Sequence, residues 1–190
     1  MLDDVLHATA EHALELGLET LLAVHPHDAL IELADRAPAP FRVIAQRGDG
    51  LGARMDRSIR QACAAGYERV LLRGSDNPTV SSLHLRTTLD LLDRHEVVLT
   101  PDRDGGYGLV GVRAPVDGLF DHAMSSDDLL DDTVRGARAQ GVDVALGPES
   151  FDLDSIEDLT RLDEWRRMSR EPHTCARTIA WVEDHGMWPA

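Results

Sequence analysis

The sequence contains no lysine, and its fixed positive charges are all arginine. That excludes Schiff-base chemistry and a phosphate-gripping loop lysine. Cysteine is scarce: Cys63 and Cys175 stand far apart and form no Cys-x-x-Cys pair. A disulfide framework is therefore excluded, and two reduced thiols of a cytoplasmic protein are the expectation. No run of about 18 apolar residues is present, so no membrane span is expected. The opening Met-Leu-Asp-Asp has neither a basic region nor an apolar core of the kind that directs secretion. Positive charge is in short supply altogether, and the formal net charge is −15. Such a surface repels nucleic acid and anionic lipid, which excludes a general role on either. It does not exclude a nucleotide, because a divalent cation can bridge carboxylates to phosphates.

What is present is a chain of 190 residues, 43% hydrophobic, ample for one packed core. Val5, Leu6, Thr9, Ala10, Ala13 and Leu14 recur at helical spacing, and Gly17 ends that helix. Leu21 to Val24, closed by Pro26, reads as a buried strand. A helix over about Asp28–Ala34 and a strand at Phe41–Ala45 follow. The glycine-rich stretch Gln46 to Gly52 then opens a helix running to Ala65. Val70 to Leu72 is a strand, and Ser81 or Ser82 caps the next helix. Strands are expected at Glu96–Thr100, Tyr107–Val112 and Val142–Leu146. Helices are expected at about Asp127–Gln140 and Ser155–Met168, with a helical tail from Pro172 to Gly186. This alternation implies an α/β fold, a doubly wound, mostly parallel sheet with helices on both faces. Residues 1–170 form the domain, and 171–190 form a tail packed on it. A helix comes first where such a sheet normally opens with a strand. Either the first strand is missing from this sequence or the fold closes without it.

Ligands of parallel α/β sheets bind at the carboxyl ends of strands, and four loops fall there. Gln46–Met55 brings glycines to a helix N-terminus with Arg54 beside them, suited to a phosphate or to a plain strand-to-helix turn. Gly74-Ser75-Asp76-Asn77-Pro78 offers a carboxylate for a divalent cation or a ribose hydroxyl, or else an Asx-turn. Asp102-Arg103-Asp104-Gly105-Gly106-Tyr107-Gly108 permits close backbone approach, with Tyr107 on a sugar, on a base or in the core; its alternative is an Asp-Gly hairpin turn. In Phe151-Asp152-Leu153-Asp154-Ser155 the two aspartates alternate, so an extended backbone projects both to one side. Asp154 is open between metal ligand and helix cap, and Ser155 is a further cap candidate.

Other clusters point less clearly to chemistry. His25 and His27 straddle Pro26 without an obvious third ligand, and His173, Cys175 and His185 lack a fourth for zinc. The acidic run Ser126–Asp132 reads as a solvated helix face. Trp165, Trp181 and Trp188 anchor the tail or form a contact between copies of the chain.

Taken in order, Q-x-G-x-x-L-G-x-R-M, V-L-L-R-G-S-D-N-P, P-D-R-D-G-G-Y-G-L-V-G and F-D-L-D-S-I-E-D-L resemble the DUF2064 family over about Leu2 to Leu162. The resemblance implies a GT-A fold, of the nucleotide-diphospho-sugar transferase type. It implies Mg²⁺ or Mn²⁺ on Asp76, Asp152 and Asp154, and an acceptor-side loop of Asp104, Gly105, Gly106 and Tyr107. Asp104 and Tyr107 are its catalytic candidates, and Gly52, Arg54, Ser75, Gly105 and Gly106 its nucleotide-binding candidates. Members of that family usually begin with a strand and a basic loop that would hold the nucleotide phosphates. This sequence shows neither, and Ser155 stands where a threonine is usual. The expected activity is metal-dependent glycosyl or nucleotidyl transfer from a nucleotide or nucleotide-sugar donor to a small acceptor. The alternatives are a non-catalytic GT-A-like binding domain that has lost its phosphate loop, and a subunit that takes the missing strand from a partner or a second copy.

Overall fold

A computed structural model of the chain describes residues 1–124, 126 and 128–188. In chain order the elements are α1 (Leu2–Leu16), β1 (Leu21–Val24), α2 (Leu30–Arg36), β2 (Arg42–Ala45), α3 (Leu51–Ala64), β3 (Val70–Arg73), α4 (Ser82–Leu92), β4 (Val97–Pro101), β5 (Tyr107–Val112), α5 (Leu129–Ala139), β6 (Val144–Leu146), α6 (Asp158–Met168) and α7 (Ala176–Asp184). Each expected strand and helix has its counterpart, with ends shifted by a few residues. Asp127, the expected start of α5, lies outside the described residues. Among the described residues, no helix is long and apolar enough to cross a membrane.

The fold is α/β, but its strands form two sheets rather than one. β1 and β2 pair in parallel, while β3-β5-β4-β6 form a four-stranded sheet. In the larger sheet β5 runs antiparallel to both β3 and β4, and β4 and β6 are parallel. The antiparallel strand arises because the loop 102–106 is short enough for a hairpin, with no room for a crossover helix. β3, β4 and β6 consequently all point one way, and their carboxyl ends share one rim.

The core follows the period of two along these strands. Val97 and Leu99 of β4 and Val110 and Val112 of β5 face one side, packed with Met55 and Ile59 of α3 and Ala137 of α5. Leu109 of β5 faces the other side with Val80 and Leu85. Val97, Val98 and Leu99 are fully buried, and each such side chain contributes roughly 2 kcal/mol. A separate cluster of Leu159, Leu162, Cys175 and Val182 joins α6 to α7, with Trp165 and Trp188 packed on it. Arg166 lies over the Trp188 ring, and Trp181 stays half exposed and stacks on His185.

A buried carboxylate ties the tail to α1. Asp4 accepts from Arg177 N at 3.1 Å, Thr178 N at 2.7 Å and Thr178 Oγ1 at 2.6 Å. The unpaired N–H groups of the first turn of α7 thus find a negative partner. Asp4→Ala orphans these donors and is expected to cost about 2 kcal/mol, read as a lower urea midpoint with an unchanged slope. An unchanged midpoint would show that α7 is not held through Asp4.

Candidate functional site

The rim at the carboxyl ends of β3, β4 and β6 is held by one buried polar network. Asn77, fully buried, donates through Nδ2 to Asp102 Oδ1 at 2.9 Å and to Ser150 Oγ at 2.9 Å. Its Oδ1 accepts from Thr79 N at 3.0 Å and lies 2.8 Å from Thr79 Oγ1. Thr79 Oγ1 is also 2.8 Å from Phe151 O. Ser150 Oγ donates to Asp102 Oδ1. A parallel bridge between Asp102 and Ser150 carries the β4–β6 ladder to this point. The network joins the loop after β3, the loop after β4 and the segment after β6. A Cβ on Gly108 would collide with Asn77 Nδ2 and sit 2.9 Å from Asp102 Oδ2, so only glycine lets β5 pass the network.

On this platform stand the acidic side chains. Asp104, Asp152 and Asp154 each offer a carboxylate oxygen, and the three oxygens lie within 4.8 Å of one another. Asp104 and Asp154 are exposed and Asp152 is half-buried. Burial pushes the Asp152 carboxyl up to about 6, and the charges of Asp104, Asp154 and Asp76 add to the rise. Asp102, beneath them, is pushed up to about 7, mainly by burial. The hydrogen bond from Ser150 opposes that rise, and Asp152, Asp104 and Asp76 reinforce it. Crowded carboxylates that hold protons too strongly are a site short of positive charge. Three hard oxygen donors fit a divalent cation of the Mg²⁺, Mn²⁺ or Ca²⁺ kind.

The expected same-side projection of Asp152 and Asp154 is what the structure has. Asp154 is no helix cap: α6 begins only at Asp158, whose Oδ2 accepts from Ser155 N at 2.8 Å and Ser155 Oγ at 2.7 Å. Asp158, not Ser155, organises that turn, and Asp154 keeps its carboxylate in the acidic group. Asp76 follows β3 and lies close enough to act on Asp102 and Asp152 electrostatically, but it is outside the group of three. Ser75 beside it is exposed. Asp104 Oδ1 accepts from Gly106 N at 2.9 Å, closing the hairpin turn through Gly105 and Gly106. Tyr107 is half-buried against the core, with its hydroxyl 3.4 Å from Thr133 Oγ1, and it also lines a cavity beside the rim.

Gly52 sits in the first turn of α3, where a Cβ would lie 2.5 Å from Phe120 O. Close packing therefore accounts for this glycine without a ligand. Arg54, two residues further, is half-buried, and its Nε has no partner. The remaining sequence candidates do not converge. His25 and His27 meet edge to face 6.5 Å apart, and His27 Nε2 lies 3.2 Å from Gln46 O. Cys175 Sγ is buried and donates to Pro78 O. Among the described residues, only the aspartate trio groups three candidate metal ligands.

The sequence assigned no role to Asp102, Thr79 or Ser150, and none to Asn77 beyond standing beside Asp76, although Asn77 is the hub of the network. Asp102 carried one usable signal, its alternation with Asp104, which on an extended backbone marks a pair on one side. Ser150 and Thr79 carried none.

This architecture belongs to the GT-A class of α/β folds. It is similar to the crystal structure of a protein from Desulfovibrio desulfuricans G20 named "putative nucleotide-diphospho-sugar transferase". The TM-score is 0.77 and the identity 23%, covering 97% of this chain and 84% of that one. Rv0371c from Mycobacterium tuberculosis H37Rv is also similar, with a TM-score of 0.50 and 22% identity over 84% of this chain and 83% of that one. The chain belongs to DUF2064, a family described as uncharacterized protein conserved in bacteria, which matches residues 8–127. No curated protein matches the chain.

Proposed function

We propose that this protein is a divalent-cation-dependent transferase that takes a nucleotide sugar as donor and passes its glycosyl group to a small acceptor. The observation that carries the reading is the convergence of Asp104, Asp152 and Asp154 within 4.8 Å at the strand ends. The similarity to a protein named as a nucleotide-diphospho-sugar transferase supports the choice of donor. Asp104, Asp152 and Asp154 would hold the cation, with Asp76 adding negative charge nearby. A bound cation of this type neutralises the charge that builds on a diphosphate leaving group. The chain's own contribution is placement. Asn77, Asp102 and Ser150 fix the three loops relative to one another, so the carboxylates stand ready without reorganisation. Asp104, anchored by the Gly106 N–H, would also orient an acceptor hydroxyl beside the cation. Mg²⁺ or Mn²⁺ is the proposed cation, and the oxygen donor set suits either.

A thermal-shift panel tests this. It pairs nucleotide sugars and nucleoside triphosphates with Mg²⁺, with Mn²⁺ or with a chelator. A ligand at about 100 times its Kd adds roughly 2.7 kcal/mol, a visible rise in Tm. The expected result is a cation-dependent rise with one class of nucleotide sugar. A rise confined to nucleoside triphosphates would replace glycosyl by nucleotidyl transfer. A flat panel on folded protein would remove the transferase reading altogether.

A further inference from the structure

Between Leu146, the last residue of β6, and Asp158, the first of α6, the chain forms no helix and no strand beyond the single bridge at Ser150. Backbone ladders therefore do not fix Asp152 and Asp154, and side chains have to. Ser150 and Phe151 are tied to the Asn77 network. Glu149, just before them, has two further partners. Its carboxylate pairs with Arg103 at 2.6 Å, but both side chains are more than half exposed, so that pair contributes little. Its carbonyl oxygen lies 3.2 Å from Nε2 of His84.

His84 is the third residue of α4, where a glutamate or glutamine usually reaches back to the N–H of the capping residue. Here the imidazole does so, and Ser81 N donates to Nδ1 at 3.0 Å. Nδ1 is therefore an acceptor, the proton sits on Nε2, and Nε2 donates to Glu149 O. Burial, with Arg73 nearby, holds the ring's proton affinity below the ordinary histidine value, against the opposing pull of the Glu149 carbonyl and Glu171. The start of α4 is a firm support. Val80 and Leu85 are buried in the core, and Ser82 N donates to Glu171 Oε2 at 3.1 Å.

We propose that His84 is a positioning residue for the segment that carries Asp152 and Asp154, which it suspends from the start of α4 through the Glu149 carbonyl. The cap alone does not ask for a histidine. Only a side chain with an acceptor at one atom and a donor at another makes both bonds. Glutamine meets that description on one amide, glutamate meets half of it, and alanine none. The mechanical role stands on these two bonds. Its consequence for a cation rests on the proposed role of the three aspartates, since supporting groups around a metal are felt as about tenfold or more in affinity.

Amide hydrogen exchange followed by NMR on the full chain, without cation, compares the parent with His84→Ala, His84→Glu and His84→Gln. Exchange at the Ser150 and Phe151 N–H groups should quicken by about tenfold in the Ala and Glu variants and return to the parent's rate in the Gln variant. Amides of α4 should be unchanged in the Glu and Gln variants, which separates the tie to Glu149 from capping. If the Ala variant does not fold, the comparison of Glu with Gln carries the test. Imidazole nitrogen shifts of the parent near neutral pH should report a bare Nδ1 and a protonated Nε2 at His84. Titration with Mn²⁺, followed by electron paramagnetic resonance, should find about tenfold weaker binding in His84→Ala and parental binding in His84→Gln. Four results would overturn the proposal. Exchange at Ser150 and Phe151 could be unmoved by Ala and Glu, or the Gln variant could be no better than the Glu variant. The proton could sit on Nδ1, or Mn²⁺ bound by the parent could be held as tightly by His84→Ala. A parent that binds no Mn²⁺ while the exchange pattern holds would remove the cation site and leave His84 in its positioning role, so the two failures are distinct.

Discussion

Asp102→Asn is expected to stabilise the cation-free protein at about pH 8 by on the order of 3 kcal/mol and to change it little at about pH 4. The sign follows from burial. Asp102 ionises near the ordinary aspartate value of 3.8 when unfolded, but burial pushes it up to about 7 in the folded chain. Folding therefore takes up a proton between these values, and stability falls as pH rises through that window. Asparagine keeps the Oδ1 acceptor that serves Asn77 and Ser150, and it carries no charge to desolvate. Asp152, pushed up to about 6, slopes the same way over the lower part of the window. Asp3, Asp158 and Glu171 are held below the usual carboxylate range, so they slope the other way and lose their contribution on acidification. Stability of the cation-free protein should therefore peak on the acidic side of neutrality. Urea titrations of both proteins at the two pH values measure this. A variant less stable than its parent at about pH 8 would mean that the charged form of Asp102 is what the network holds.

Asp152→Asn is expected to weaken binding of Mn²⁺ or Mg²⁺ by about a hundredfold, the scale on which even supporting groups around a metal are felt. Asp152 is half-buried and surrounded by the charges of Asp104, Asp154 and Asp76, which raise its proton affinity. The same charges raise its affinity for a cation, so proton and cation compete for one oxygen. In the parent protein, cation affinity should climb as pH rises through about 6 and level off above it. In the variant that climb should disappear. If the variant binds the cation as tightly as the parent at neutral pH, Asp152 is not a ligand, and Asp104 with Asp154 is too sparse a site to hold one alone.

Much of the fold was legible because the helices are amphipathic and the strands are short apolar runs bounded by Gly, Pro and Asp. Leu21–Val24 and Tyr107–Val112 are predicted to the residue for this reason. The direction of β5 was not legible. The same residues fit a parallel strand, and only the pairing of Tyr107–Val112 with both β3 and β4 reveals the antiparallel run. The start of α6 was misplaced because Ser155 has the chemistry of a cap, while Asp158 captures that serine from within the helix. Of the candidate site, the alternation of Asp152 with Asp154 and the strand-end position of Asp104 sufficed to bring the carboxylates forward. The Asn77 network was beyond reach, since its members lie 25 and 73 positions apart in sequence and meet only through sheet order. The division of the strands into β1–β2 and the larger sheet was not legible either, since the order of helices and strands fits a single sheet equally well.

The most direct test of the proposed function is a calorimetric titration of a nucleotide sugar into the protein, with Mn²⁺ and then with a chelator. Binding should require the cation and vanish in Asp152→Asn at neutral pH, in a variant that remains folded. Binding of equal strength under chelator, or cation-dependent binding unaffected by that substitution, would contradict the proposed function.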